Sequence, residues 1–385
     1  MNIPAVLDTD EHIPFAGANG REIWAMASAS SSGDIGALEA LLGQNPDLIH
    51  CGHYGCLPSD CYRPLHFAVK GNQTEAVAFL LSHGAHVMDE FLLNSINQSL
   101  HIARDLGHDA IYEMLDADRR ERFGFRDEAA AVAKAINARD RDAALALLDG
   151  DPTLVRATDE TGNAPIHWAV MTRQWSIIRA LSERGANLDH TRFEGSRPVD
   201  LVHGDYWFNH NEHNMDGAMQ EPSTLIGYLL GLNAEYGLCT AIELGDCERV
   251  LWLIREAPDQ VNALSNAPHP LSSASEHGRR RPIVVAAQNE RVEIARLLIE
   301  AGADVNLGVP LWSPYGQALF AACAKGNVEL ARMLLEAGAH PNVEVESSGD
   351  CFSIMGHTSA PNREALHELL KQYGGVPVKF GSDDD

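Results

Sequence analysis

The sequence predicts an all-α solenoid: helix-turn-helix units stacked side by side, with long β-turn or finger loops and one insertion inside a unit. Three observations predict it. The stretch Arg281 to Asn342 reads twice through one pattern. The first pass is Pro282-Ile283-Val284-Val285-Ala286-Ala287, Val292-Glu293-Ile294-Ala295-Arg296-Leu297-Leu298 and Gly302-Ala303-Asp304-Val305-Asn306. The second is Gln317-Ala318-Leu319-Phe320-Ala321-Ala322, Gly326-Asn327, Val328 to Leu335 and Gly338-Ala339-His340-Pro341-Asn342. Within a pass, Ile294, Leu297 and Leu298 fall at i, i+3 and i+4, on one face of a short helix, and a glycine follows where a left-handed residue ends a helix. Finally, Pro46, Pro152 and Pro258 recur at equal intervals of 106 residues. Helix pairs this small bury their apolar faces only against neighbours, so they must stack.

These motifs resemble the ankyrin repeat family. Pro64-Leu65-His66-Phe67-Ala68, Gly71-Asn72, Leu80-Leu81 and Gly84-Ala85 follow its pattern, as do Pro165-Ile166-His167-Trp168-Ala169 and Gly185-Ala186-Asn187. The resemblance implies an array of about nine repeats of about 33 residues each. It implies structural roles for His66 and His167, whose rings staple adjacent turns. It also implies that the inner helices and finger loops form a concave binding groove. A shared fold does not name the partner.

In chain order, residues 1–20 lack periodicity and read as an N-terminal arm. Repeats one to three occupy 21–118, the basic run Arg119–Arg126 links, and repeats four to six occupy 127–233 with an insertion at 204–222. Repeats seven to nine occupy 234–342, and 343–380 holds a finger loop and a capping helix. In that helix Leu366, Leu369 and Leu370 face inward. An acidic tail, 381–385, closes the chain.

Composition removes several function classes. A hydrophobic content of 45% is that of a folded chain. No run approaches the roughly 18 apolar residues of a membrane span. The acidic N-terminus lacks the layout of a signal peptide, so a cytoplasmic protein is expected. Seven cysteines, an odd number scattered along the chain, make no disulfide framework. Cys51, Cys56 and Cys61 are too widely spaced for a common zinc pair. A net charge of −25 opposes phosphate-backbone binding and excludes nucleic acid.

The candidate site residues lie where the chain departs from a plain array. The loop His50–Arg63 carries His53, Tyr54, Asp60 and Arg63; Ala263–Arg281 carries His269, Glu276, His277, Arg279 and Arg280. Leu307–Gly316 adds Trp312 and Tyr315, and Glu344–His357 adds Asp350. The insertion Gly204–Pro222 holds Asp205, Trp207, His210, Glu212 and His213, with His203 just before it. Long irregular insertions in compact arrays are usually functional or disordered, and the aromatic content argues against disorder. His210 and His213, three apart, are candidate ligands for a divalent metal, although Asn209, Asn211 and Asn214 make a regular helix there doubtful. Arg279 and Arg280 suit an anionic group, with Glu276 and His277 near enough for acid–base work. Trp168 fits either core or groove floor.

Two functions follow. The chain binds a protein partner, basic by charge complementarity, through its concave face and finger loops. Alternatively the groove is a His/Asp/Glu/Arg/Trp-lined pocket of an enzyme or small-ligand receptor for a sugar or small anionic substrate. That second reading draws on loop chemistry alone, because no Ser-His-Asp motif, phosphate-binding loop or dinucleotide fingerprint is present. No cofactor is implied beyond that divalent metal.

Overall fold

The repeated pattern becomes helix pairs. A computed structural model describes residues 3–11, 13, 18–52, 63–87, 98–192, 196–202, 222–263, 281–309, 313–315, 317–345, 349–357 and 360–377. They fall into two compact units that divide between Ala234 and Glu235.

The first unit pairs α1 (Gly20–Ser32) with α2 (Ile35–Gln44), α3 (Pro64–Lys70) with α4 (Thr74–Ser82), and α5 (Gln98–Asp105) with α6 (Asp109–Phe123). It continues with α7 (Ala129–Asn137) and α8 (Arg141–Gly150), α9 (Pro165–Met171) and α10 (Trp175–Glu183), then the 3-10 turn Pro198–Leu201 and α11 (Pro222–Gly231). First helices pack on first helices: α1 on α3, α3 on α5, α7 on α9, and α9 on the turn Pro198–Leu201. The apolar stripes of α1 to α6 thereby merge into a shared core. It runs from Leu7 and Met26 through Leu38, Leu65, Val77 and Leu80 to Ile111 and Leu115.

The second unit repeats the logic. Its pairs are α12 (Leu238–Leu244) with α13 (Cys247–Glu256), α14 (Pro282–Gln288) with α15 (Val292–Glu300), and α16 (Gln317–Lys325) with α17 (Val328–Glu336). The 3-10 turn Ile354–His357 then lies on α16, and α18 (Ala360–Gln372) lies on α17. Here the core spans the whole unit, from Ile242 and Val250 through Leu298 and Leu334 to Leu366 and Leu370.

The 106-residue period is structural. Asp34, Asp140 and Asp246 each cap a second helix, accepting the amides of Ala37 (3.0 Å), Ala143 (3.0 Å) and Arg249 (2.9 Å). Such a cap satisfies one donor that the first helical turn would leave orphaned. Each of these helices runs into a 3-10 turn opened by proline: Pro46–His50, Pro152–Arg156 and Pro258–Asn262. Proline suits that first position because its fixed φ is already helical and no amide there has a partner to lose.

Side-chain rungs join neighbouring repeats. In the second unit Asn262 Nδ2 donates to the Gly302 carbonyl (2.9 Å) while its Oδ1 accepts the Asp304 amide (2.8 Å). Asn306 does the same to Gly338 and His340, both at 2.9 Å. Asn342 repeats it on Gly374 (3.3 Å) and Val376 (2.7 Å). Gly302, Gly338 and Gly374 all have φ near +90° (90°, 93° and 87°), a conformation that favours glycine. At the turn between the two helices of a pair, Gln174 Nε2 reaches the Ile136 carbonyl (2.6 Å), Arg291 Nη2 that of Glu243 (2.6 Å) and Asn362 Nδ2 that of Gly326 (2.9 Å). Asn306→Ala removes two inter-repeat bonds and is expected to cost about 1–3 kcal/mol by denaturant unfolding. Asn306→Asp, which keeps the acceptor alone, should fall between it and the parent protein.

Four stretches differ from their sequence reading. The N-terminal arm contains a 3-10 turn, Ala5–Leu7; Leu7 is buried, and Arg21 pairs with Asp8 (3.0 Å) and Asp10 (2.6 Å). The basic linker is helical as far as Phe123, because Arg119 and Arg120 both grip Asp116 one turn back and extend α6. Leu307–Gly316 includes an antiparallel hairpin of β1 (Leu307–Val309) and β2 (Ser313–Tyr315), with a second hairpin of β3 (Glu344–Val345) and β4 (Gly349–Asp350) beyond it. The capping helix α18 is half of a further pair, since the turn Ile354–His357 stands where a first helix would.

Candidate functional site

The first helices and the loops that enter them are built from a small set of side-chain roles. His66 Nδ1 accepts the Arg63 amide (3.1 Å), and His167 Nδ1 accepts the Ala164 amide (3.0 Å). Each ring therefore carries its proton on Nε2, and that of His167 donates to the His190 carbonyl at 3.0 Å. Burial holds both imidazoles neutral: His66 is pushed down to about 3, and His167 well below the usual range. Both rings serve as staples.

Two arginines close the bases of the long loops. Arg63 Nη1 donates to the His50 carbonyl, and Arg281 Nη1 donates to that of Asn262. His50 and Asn262 end their 3-10 turns, so each guanidinium ties together chain ends 13 and 19 positions apart. Arg63 is 3% exposed, which places this candidate binding residue at the root of its loop and not at the tip. In the middle copy Ala164 takes the arginine's place, and a shorter connection closes on itself. There Asp159 Oδ1 accepts the Thr161 amide (2.9 Å), the Thr161 hydroxyl (2.7 Å) and the Asn163 amide (3.0 Å).

The other carboxylate oxygen of Asp159 orients Trp168. Trp168 Nε1 donates to Asp159 Oδ2 at 2.6 Å, and the partly buried indole packs with Met171 and Leu201. Trp168 thus lies at the edge of a small core cluster. With its N–H given to a buried carboxylate, the ring keeps one orientation and offers its apolar surface. At the matching position of the other first helices, Phe67 on α3 and Ile102 on α5 are partly buried apolar residues, whereas Lys134 on α7, the neighbour of α9, is exposed.

In the second unit the two hairpins adjoin, β2 lying beside β3. That arrangement brings the strands carrying Tyr315 and Asp350 together. Tyr315 pairs with Leu307 in the ladder. Asp350 is 4% exposed, and its Oδ1 accepts the Ser353 amide (2.7 Å) while its own amide donates to Ser353 Oγ (2.9 Å). It caps the turn that leads into the last helix pair.

His53, Tyr54, Asp60, His203, Asp205, Trp207, His210, His213, His269, Glu276, His277, Arg279, Arg280 and Trp312 lie outside the described residues. Among the described residues no group of three His, Cys, Asp or Glu side chains could hold a metal ion. Among them, too, no helix is long and apolar enough to cross a membrane. Sequence reasoning did not single out Asp159. The signal available was an Asp-x-Thr-Gly-Asn turn ahead of Pro-Ile-His-Trp, which places a carboxylate within reach of the tryptophan.

A model of three ankyrin repeats matches residues 238–345, and a single ankyrin repeat model matches 61–90. Among solved structures, the ankyrin repeat domain of human ASB11 aligns with 64% of this chain and 99% of its own, at 18% identity and a TM-score of 0.33. No curated protein matches the sequence.

Proposed function

We propose, for a chain that is an ankyrin repeat protein, that it binds a basic protein partner through the face of its first helices and the loops entering them. Repeats of this family generally mediate protein–protein interaction. The observation that carries the choice of face is Trp168, a partly buried indole on a first helix, locked by a buried carboxylate. Tryptophan is enriched among residues that dominate interface energies, and an orientation set beforehand saves ordering entropy on binding. The net charge of −25 favours a basic partner and fast, salt-sensitive association. No described residue favours the alternative of an enzyme or small-ligand receptor.

The test uses the immobilised full-length chain to capture a partner, which is then purified and titrated by calorimetry. Trp168→Ala should weaken binding by about tenfold or more. Trp252→Ala, which removes a tryptophan 48% exposed on the second helix α13, should leave affinity unchanged. Equal affinities for the two variants would rule out this face, and a salt-independent affinity would rule out a basic partner.

A further inference from the structure

Cys323 lies on α16 and Cys351 directly follows β4; each is 0% exposed, and both belong to one core cluster. Their thiols hydrogen-bond to each other. The second thiol is carried by the segment that forms the last described pair, whose turn Ile354–His357 packs on α16. We propose that Cys323 and Cys351 form a reversible disulfide when the protein meets a peroxide, locking that pair onto α16.

The chemistry balances with a peroxide as oxidant. One thiolate attacks the O–O bond, giving a sulfenic acid and one water. The second thiol attacks that sulfur; the S–S bond forms, the S–O bond breaks, and the hydroxyl leaves with the thiol proton as a second water. Two electrons pass from the pair of sulfurs to the peroxide. No third residue is required.

Access sets the rate. The hydrogen bond to Cys323, and then burial, hold the Cys351 thiol well above the ordinary thiol range. Only thiolate attacks, so oxidation proceeds from a local opening of the last pair, of the kind that precedes global unfolding. Closing the opened pair then brings the sulfurs together. The cross-link ties positions about 28 residues apart and removes the open states from the ensemble. Cys247, the one exposed cysteine among the described residues, serves as an internal reference for simple surface oxidation.

The experiment treats the full-length chain with hydrogen peroxide at neutral pH, alkylates the remaining thiols, digests it and maps the peptides. The expected product is a Cys323–Cys351 cross-linked pair, about 2 Da lighter than the two reduced peptides together and reversed by dithiothreitol. Amide exchange across α18 should slow in the oxidised protein. Recovery of both cysteines as alkylated thiols while Cys247 is oxidised overturns the proposal, as does sulfinic acid at either one. Cys351→Ser should abolish the peroxide effect on α18; slowing that survives in this variant also overturns it.

Discussion

Leu298→Ala lowers the unfolding free energy of the second unit by about 2–5 kcal/mol, the cost of a cavity where a leucine was fully buried. Leu298 is 0% exposed on α15, which packs against both α13 and α17. In a stack whose stability is a sum of repeat and nearest-neighbour terms, the lost volume weakens the interfaces on both sides at once. Denaturant unfolding should show a lower midpoint, with loss of coincidence between probes placed in the two units. Leu297→Ala is the control: it deletes the same atoms one residue away at a partly buried position. Equal losses for the two variants would show that the core of this unit is not continuous through α15.

Acidification from pH 7 to pH 5 destabilises the first unit through His66 and His167. Both are buried and neutral, with folded pKa values below the unfolded value of about 6.5. As pH falls through 6.5 the unfolded chain takes up protons that the folded one refuses. Stability therefore falls with pH in this window, and it recovers as pH rises. Each histidine contributes a loss of about 2 kcal/mol at pH 5. The window lies above the ordinary carboxylate range of about 4, where relief of the −25 charge acts in the opposite direction. Guanidinium unfolding at pH 7 and pH 5 measures the change. The pair His66→Gln and His167→Gln should remove most of it, since glutamine also accepts a backbone amide and does not titrate; His190, also held low by burial, keeps the remainder. An unchanged pH dependence in that double variant would assign the acid sensitivity elsewhere.

Much of the fold was legible because its determinants are local. Pro-Leu-His and Pro-Ile-His place an imidazole three residues from the amide it accepts, so the staple lies within one turn. The Gly-Ala-Asp-Val-Asn ending marks both a left-handed glycine and the asparagine that reaches the next repeat. Pro46, Pro152 and Pro258 opened 3-10 turns at the same place in three copies. What escaped the sequence was contact across loops. Arg63 looked like a groove residue because a charged side chain in a long loop usually faces water; only the fold shows the His50 carbonyl beside it. Asp159 and Trp168 are nine positions apart and meet because the intervening turn folds back. Cys323 and Cys351 are separated by a helix and a hairpin, beyond any spacing rule. Arg119–Arg126 read as a linker because its charges suggested solvent, whereas the i, i+3 and i, i+4 pairs with Asp116 carry the helix on.

The arginine clasps at His50 and Asn262 separate two design problems that are normally coupled. A connection held at its root can change length and content without disturbing the register of the helices on either side. Lengthening such a connection is also cheap, since doubling a flexible loop costs only about 0.6 kcal/mol in closure entropy. Copies one and three, clasped at 13 and 19 positions, behave as sockets into which different sequence cassettes can be fitted. The middle copy, with Ala164 and its self-closing Asp159 turn, has no such socket. Variation among relatives of this chain is therefore expected to concentrate in the first and third connections and to spare the second.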